Sequence, residues 1–282
     1  MNGQLCSISG LERLLLSTDC SEFSEGAIRE SINIAKKCSS KLYVLSVIET
    51  FPEVEISVQK LIEKAEKETT EQLESIKAWA FREGVECEIS VYHGEEPSRY
   101  IVEEALNKNV KMIVMGRRGR TGLKRLMIGS VTARVISRAT CNVLVVPRAA
   151  RIEFKNILVA IGYSKYSNAL GSEAISIAKC SEGTLLALSV ASGDAEEVKE
   201  GYENLNKVKR MAEKEGLKVD ILCEKGRPYE VILNKTKEKD ADLIVVGSPG
   251  RAGFKRHLME SVTEKVIRFS GSAVLVVNTK TI

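Results

Sequence analysis

Nowhere do the 282 residues contain the ~18 consecutive apolar side chains that a helix needs to cross a bilayer. A membrane span is therefore not expected. The opening MNGQLCSISGLERLLLSTD has no basic segment followed by a long apolar core, so it does not read as a secretion signal. Histidine is scarce, with only His93 and His257, which excludes a histidine-rich metal centre. The seven cysteines are scattered and form no C-x-x-C pair. That pattern argues against a zinc site or a disulfide scaffold and for reduced thiols in a cytoplasmic protein. Excess charge is also lacking. The net charge is +4, with 21 basic and 20 acidic side chains in residues 1–150 and 21 and 18 in residues 151–282. Neither half carries the field of a nucleic-acid binder.

What is present is a sentence written twice. Residues 110–147 and 241–278 align without a gap, and 17 of the 38 positions are identical. The front parts align as well: Arg13–Glu25 matches Asn156–Asn168, and Lys41–Glu49 matches Thr184–Ser192. Between front and back the second copy is about a dozen residues shorter, the missing piece lying around Phe51–Gln72. One domain per copy follows, residues 1–150 and 151–282, with the boundary near Ala149–Arg151.

Within copy one, apolar runs alternate with helical periodicity. Leu14–Thr18, Lys41–Ile48, Val85–Tyr92, Met112–Met115 and Asn142–Val146 read as strands. Ser21–Cys38, Ser57–Arg82, a segment opening at Pro97, and Ser130–Arg138 read as helices, the first with a serine-rich start suited to capping. The order is βαβαβαβαβ. It predicts an α/β fold of two repeated domains, each a five-stranded parallel sheet with helices on both faces. Ligands of such sheets bind beyond the carboxyl ends of the strands, where the strand order reverses.

The segment after the fourth strand carries the chemistry. It reads Gly116-x2-Gly119-x9-Gly129-Ser130 and leads into a helix. Glycine lets the backbone approach an anion without a Cβ in the way, and a helix N-terminus offers free N–H groups. Ser130 is expected to cap that helix or to donate to a phosphate oxygen. Arg117, Arg118, Arg120, Lys124 and Arg125 are interleaved with the glycines and suggest an anion site, although a solvated basic loop explains them too. The loop is neither a Walker A sequence nor a dinucleotide fingerprint, and Gly116-x2-Gly119 alone also suits a plain turn.

The full glycine spacing resembles the ATP-binding branch of the universal stress protein family, and the resemblance covers nearly the whole chain once per copy. It includes Asp19 after the first strand, Val47 at the end of the second, and the final VLVVP strand. The resemblance implies a Rossmann-like fold and an ATP or AMP ligand, with a magnesium ion possible alongside ATP. By matching position, Thr18, Asp19 and Val47 would hold the base, and Met115 and Gly116 would line the adenosine. Gly119, Gly129, Ser130 and Val131 would meet ribose and phosphates. Arg117, Arg118 and Lys124 are added from their charge alone. Taken alone, Asp19 reads equally as a cap of the following helix, and with the glycine loop included the site reading leads.

Copy two departs from this pattern. Gly162 stands for Asp19, Glu260 for Gly129, and Ser248-Pro249 for Arg117-Arg118. A carboxylate at Glu260 would oppose a phosphate. Glu264, three residues after Ser261, completes a capping box that would close the helix start without a ligand. Gly162, Gly250 and Gly253 still leave room for a crevice. Copy one is expected to bind nucleotide and copy two weakly or not at all.

Catalysis has thin support. Phosphoryl transfer needs a positioned base and metal ligands, and no kinase-like motif or second carboxylate stands at a suggestive spacing. His93 reads as a loop histidine, and Cys20 and Cys141 as small buried hydrophobes. A nucleotide-binding regulatory protein leads, ahead of a slow ATPase or self-phosphorylating enzyme and of a non-binding interaction module. The apolar last strands, Asn142–Val146 and Ala273–Val277, would lie at sheet edges and invite pairing. The resemblance implies that the two domains pair through them, with a further homodimer possible.

Overall fold

The computed structural model describes residues 11–50, 56–119, 128–163, 166–248 and 261–279. It divides into two compact units, Ser9–Arg148 and Ala149–Ile282.

Unit one contains five strands: β1 (Arg13–Ser17), β2 (Lys41–Glu49), β3 (Cys87–Gly94), β4 (Met112–Gly116) and β5 (Asn142–Val146). They lie side by side in the order β3-β2-β1-β4-β5, all parallel. The crossovers are α1 (Glu25–Cys38), α2 (Ile56–Arg82), α3 (Pro97–Asn107) and α4 (Ser130–Arg138). The chain walks from β1 to β3 in one direction, then returns to lay β4 and β5 on the other side of β1. Because parallel crossovers are right-handed, α1 and α2 cover one face and α3 and α4 the other. Burial on both faces explains why the central strands are continuously apolar. Leu14, Leu15, Leu16, Ile113, Val114 and Leu144 are all buried.

Unit two repeats the plan. Its strands are β6 (Asn156–Ala160), β7 (Thr184–Ala191), β8 (Val219–Lys225), β9 (Leu243–Gly247) and β10 (Ala273–Val277), again parallel, in the order β8-β7-β6-β9-β10. Its helices are α5 (Ser167–Ser181), α6 (Ala195–Lys214), α7 (Pro228–Glu238) and α8 (Val262–Phe269). The shorter copy shows in the second helix, 27 residues in α2 against 20 in α6. The duplication reaches the backbone even where residue types differ. Ser39 and Glu182, which end α1 and α5, have φ of 52° and 54°, and Asn109 and Asp240 have 49° and 47°.

Local details depart from the sequence reading. The serines before α1 give no side-chain cap: Glu22–Ser24 forms a short 3-10 turn, and α1 starts at Glu25. His93 is a strand residue, paired with Ile48 in register, its Nε2 3.4 Å from Glu66. Cys20 and Cys141 are half-buried rather than buried. Among the described residues no helix is long and apolar enough to cross a membrane.

Candidate functional site

Strand order reverses between β1 and β4, so the crevice at their carboxyl ends is where the fold offers a ligand site. Ser17, the last residue of β1, faces Leu45 on one side and Met115 on the other. Met115 is buried and Gly116 lies opposite Val146. Val47, two residues beyond Leu45, is half-buried near the end of β2.

The turn after β1 is held by a chain of polar contacts. The Cys20 N–H donates to Thr18 Oγ1 at 2.9 Å, Thr18 Oγ1 donates to Ser24 Oγ at 2.9 Å, and Ser24 Oγ donates to the Ser21 carbonyl at 2.8 Å. Thr18 is buried, and its hydroxyl proton is spent within this turn. Asp19 Oδ1 accepts from the Ser21 N–H at 3.1 Å and from Ser21 Oγ at 2.7 Å. Asp19 thus closes an Asx-type turn, with Cys20 at φ 57°, and does not cap α1.

The turn brings Asp19 to the loop after β4. A Cβ placed on Gly119 would stand 2.8 Å from Asp19 Oδ2, a separation real Cβ atoms do not reach. A side chain at this position would require the Asp19 carboxylate to shift. Gly129 folds back, its N–H donating to the Arg117 carbonyl at 2.9 Å. Thr132 Oγ1 donates to the Gly116 carbonyl at 3.0 Å, tying the first turn of α4 to the end of β4. Arg117 and Arg118 stand beside one another, both half-buried. Burial, and then the charge of Arg118, pull the Arg117 pKa below its ordinary value.

The start of α4 corrects one expectation. Gly129 is the N-cap residue and makes no side-chain cap, so Ser130 is the first helical residue and does not cap the helix. Ser130 is exposed and Val131 half-exposed. The first turn of α4 therefore keeps N–H groups that no cap side chain takes. In unit two the matching helix closes upon itself. Ser261 Oγ accepts from the Glu264 N–H at 3.2 Å, and the Ser261 N–H donates to Glu264 Oε2 at 2.9 Å, the full capping box. Thr263 Oγ1 donates to the Gly247 carbonyl at 2.9 Å, as Thr132 does to Gly116.

The structure therefore brings Thr18, Asp19, Met115, Gly116, Arg117, Arg118, Gly119 and Gly129 together at the carboxyl ends of β1 and β4, with Ser130 and Val131 at the helix start and Val47 on the neighbouring strand. Arg120, Lys124, Arg125, Pro249, Gly250, Gly253, His257 and Glu260 lie outside the described residues. No three His, Cys, Asp or Glu side chains gather into a metal-binding group among the described residues.

One residue escaped the sequence reading. Tyr163 aligns with Cys20, and its hydroxyl donates to the Val190 carbonyl at 3.1 Å. Val190 is the counterpart of Val47. The signal was an aromatic residue next to Gly162, at a position where copy one carries a small thiol.

Comparison with known proteins supplies the ancestry. The model of the universal stress protein family matches residues 10–147 and again residues 153–278. The chain belongs to the universal stress protein family. A universal stress protein of Methanocaldococcus jannaschii is 37% identical over 141 residues, covering 49% of this chain and 82% of that protein. One from Synechocystis is 34% identical over 152 residues, covering 49% and 98%. A solved universal stress protein from Archaeoglobus fulgidus spans both units, covering 95% of this chain and 98% of its own, with a TM-score of 0.80 at 25% identity. The tandem arrangement thus has a counterpart of similar length within the family.

Proposed function

We propose that unit one binds an adenine nucleotide, ATP or AMP, and that unit two binds it weakly or not at all. The observation that carries this reading is the contrast between two helix starts. α4 opens on Gly129 without a cap, beside Arg117 and Arg118, whereas α8 spends its first N–H groups on Ser261 and Glu264. Helix N-termini with uncommitted N–H groups attract phosphate, and guanidinium groups pair with it bidentately. An anion here offsets both the burial of Arg117 and the repulsion from Arg118.

In this reading the base lies over the ends of β1 and β2 against Thr18, Asp19 and Val47. Met115 and Gly116 line the adenosine, and Gly119, Gly129, Ser130 and Val131 meet ribose and phosphates. A magnesium ion, where ATP is the ligand, supplies charge neutralisation between the phosphates. The family context supports a role in stress response, and in this reading the protein works as a cytoplasmic regulator through its ligand state, ahead of slow turnover.

Calorimetric titration of the full chain with ATP and with AMP tests the reading. One site per chain is expected, weakened at least roughly tenfold by Gly129→Glu. No binding, or binding indifferent to Gly129→Glu, overturns it.

We also propose that the two units pair through their last strands, because β5 and β10 each end their own unit's sheet and are apolar throughout. A further homodimer is compatible with this arrangement. Slow hydrogen exchange at β5 amides that have no partner within unit one is expected, and rapid exchange there overturns the pairing.

A further inference from the structure

We infer that Tyr163 stands in for the base in unit two, and that its ring closes that cleft to an adenine nucleoside. The inference rests on the reading of unit one as the adenine site. Its structural basis is a rung of the sheet that each unit completes differently.

In unit one the Thr18 N–H donates to the Leu45 carbonyl at 3.0 Å, and in unit two the Ile161 N–H donates to the Leu188 carbonyl at 2.8 Å. These are the same rung. Carbonyls along a strand point alternately to its two neighbours, so the next one facing the same side is Val47 in β2 and Val190 in β7. Had β1 and β6 continued, the backbone N–H of residue 20 or 163 would have filled that rung. In both units the chain turns away instead.

The turns then diverge. With Asp19 accepting from Ser21, Cys20 takes a left-handed conformation and gives its N–H to Thr18 Oγ1. With its N–H given to Thr18 Oγ1, the backbone of residue 20 does not supply the Val47 carbonyl. Unit two has Gly162 in place of Asp19, and Tyr163 is not left-handed. The Gly162 carbonyl is pinned by Ser167 Oγ at 2.7 Å and by Asn204 Nδ2 at 3.4 Å. From this fixed point the phenol reaches back, and its hydroxyl donates to Val190.

A phenol and an adenine present the same features to such a site: a flat aromatic plate and a hydrogen-bond donor on its rim. Tyr163 supplies both from within the chain. A phenol is protonated at neutral pH in any case, and burial raises the Tyr163 pKa further. Tyr163 is nevertheless 36% exposed, so its ring lies at the surface by the end of β7 and not in the core. Its removal opens the cleft without hollowing the interior.

Equilibrium dialysis of labelled adenosine against the full chain tests this. Tyr163→Cys, which installs the unit-one residue, is expected to raise the number of adenosines bound by one per chain, from one to two. Tyr163→Ala is expected to do the same, and it serves if the cysteine variant folds poorly. An unchanged count in the folded variant overturns the inference, as does a wild-type count of two. Failure of the unit-one reading is separately visible as a wild-type count of zero. In that case one adenosine bound by Tyr163→Cys still supports closure by Tyr163, and none overturns it.

Discussion

Asp19 Oδ2 lies 2.8 Å from the point where a Cβ on Gly119 would stand, so the turn after β1 and the loop after β4 interlock at the reversal of strand order. The carboxylate cannot simply swing aside, because its other oxygen holds Ser21 through two hydrogen bonds. Gly119→Ala is therefore expected to displace Asp19 and break the Asx-type turn. Nucleotide affinity should fall at least roughly tenfold, with about 1 kcal/mol or less lost in stability, since the site is half-exposed. Calorimetric titration beside a thermal melt checks this. Wild-type affinity in Gly119→Ala would show that the contact is incidental to the ligand.

Gly129 offers a sharper separation of stability from binding. Its φ of −61° and ψ of 139° suit any residue, and a Cβ there meets nothing nearer than 3.4 Å. Serine at this position would cap α4 and take up an N–H that glycine leaves open. Serine exceeds glycine as an N-cap by a few tenths of a kcal/mol, so a rise in Tm of about 1 °C is expected for Gly129→Ser. Nucleotide affinity should move the opposite way, falling roughly tenfold as the helix start is occupied. Parallel changes in both quantities would contradict the idea that α4 is kept uncapped for an anion.

The fold was legible because its signal is periodic. Continuous apolar runs such as Leu14–Thr18 and Asn142–Val146, alternating with helical spacing, admit few topologies once crossovers are right-handed. The glycine loop was legible because glycine has steric consequences wherever it falls. Two kinds of detail were not. Capping was one: α4 begins at Ser130 as its sequence suggests, which leaves Gly129 rather than Ser130 in the cap position, because one turn of backbone geometry decides it. Tyr163 was missed because its meaning depends on a neighbour across the sheet: only the register of β6 on β7 reveals that its hydroxyl meets the counterpart of Val47.

Thr132 and Thr263 form a matched pair for a second separation. Each is buried, and each hydroxyl donates to the carbonyl of the glycine that ends the fourth strand of its unit. Replacing either by valine leaves that carbonyl without its donor, at a cost of about 1–3 kcal/mol. Chemical denaturation should report similar losses for the two variants. Only Thr132→Val should also weaken nucleotide binding, because Gly116 lines the proposed site and Gly247 does not. Equal effects on binding would place the ligand in both units.

Asp242 gives a prediction in pH. Its carboxylate accepts from the Phe154 N–H at 3.1 Å and the Lys155 N–H at 2.9 Å, anchoring the segment that leads into β6. Burial raises its pKa, and these backbone donors only partly oppose the rise. The folded state therefore binds the Asp242 proton more readily than the unfolded state does. Where that holds, the unfolding free energy has a negative slope in pH. The contribution of Asp242 is thus fully present below its unfolded pKa and is lost as pH rises through its raised folded pKa. An amide in its place cannot titrate, so the stability of wild type minus that of Asp242→Asn is expected to increase as pH is lowered through the acidic carboxylate range. Denaturant unfolding of both proteins at several acidic pH values measures the difference directly. A difference that shrinks on acidification would mean that the backbone donors outweigh burial, and that Asp242 is held as a stabilised anion.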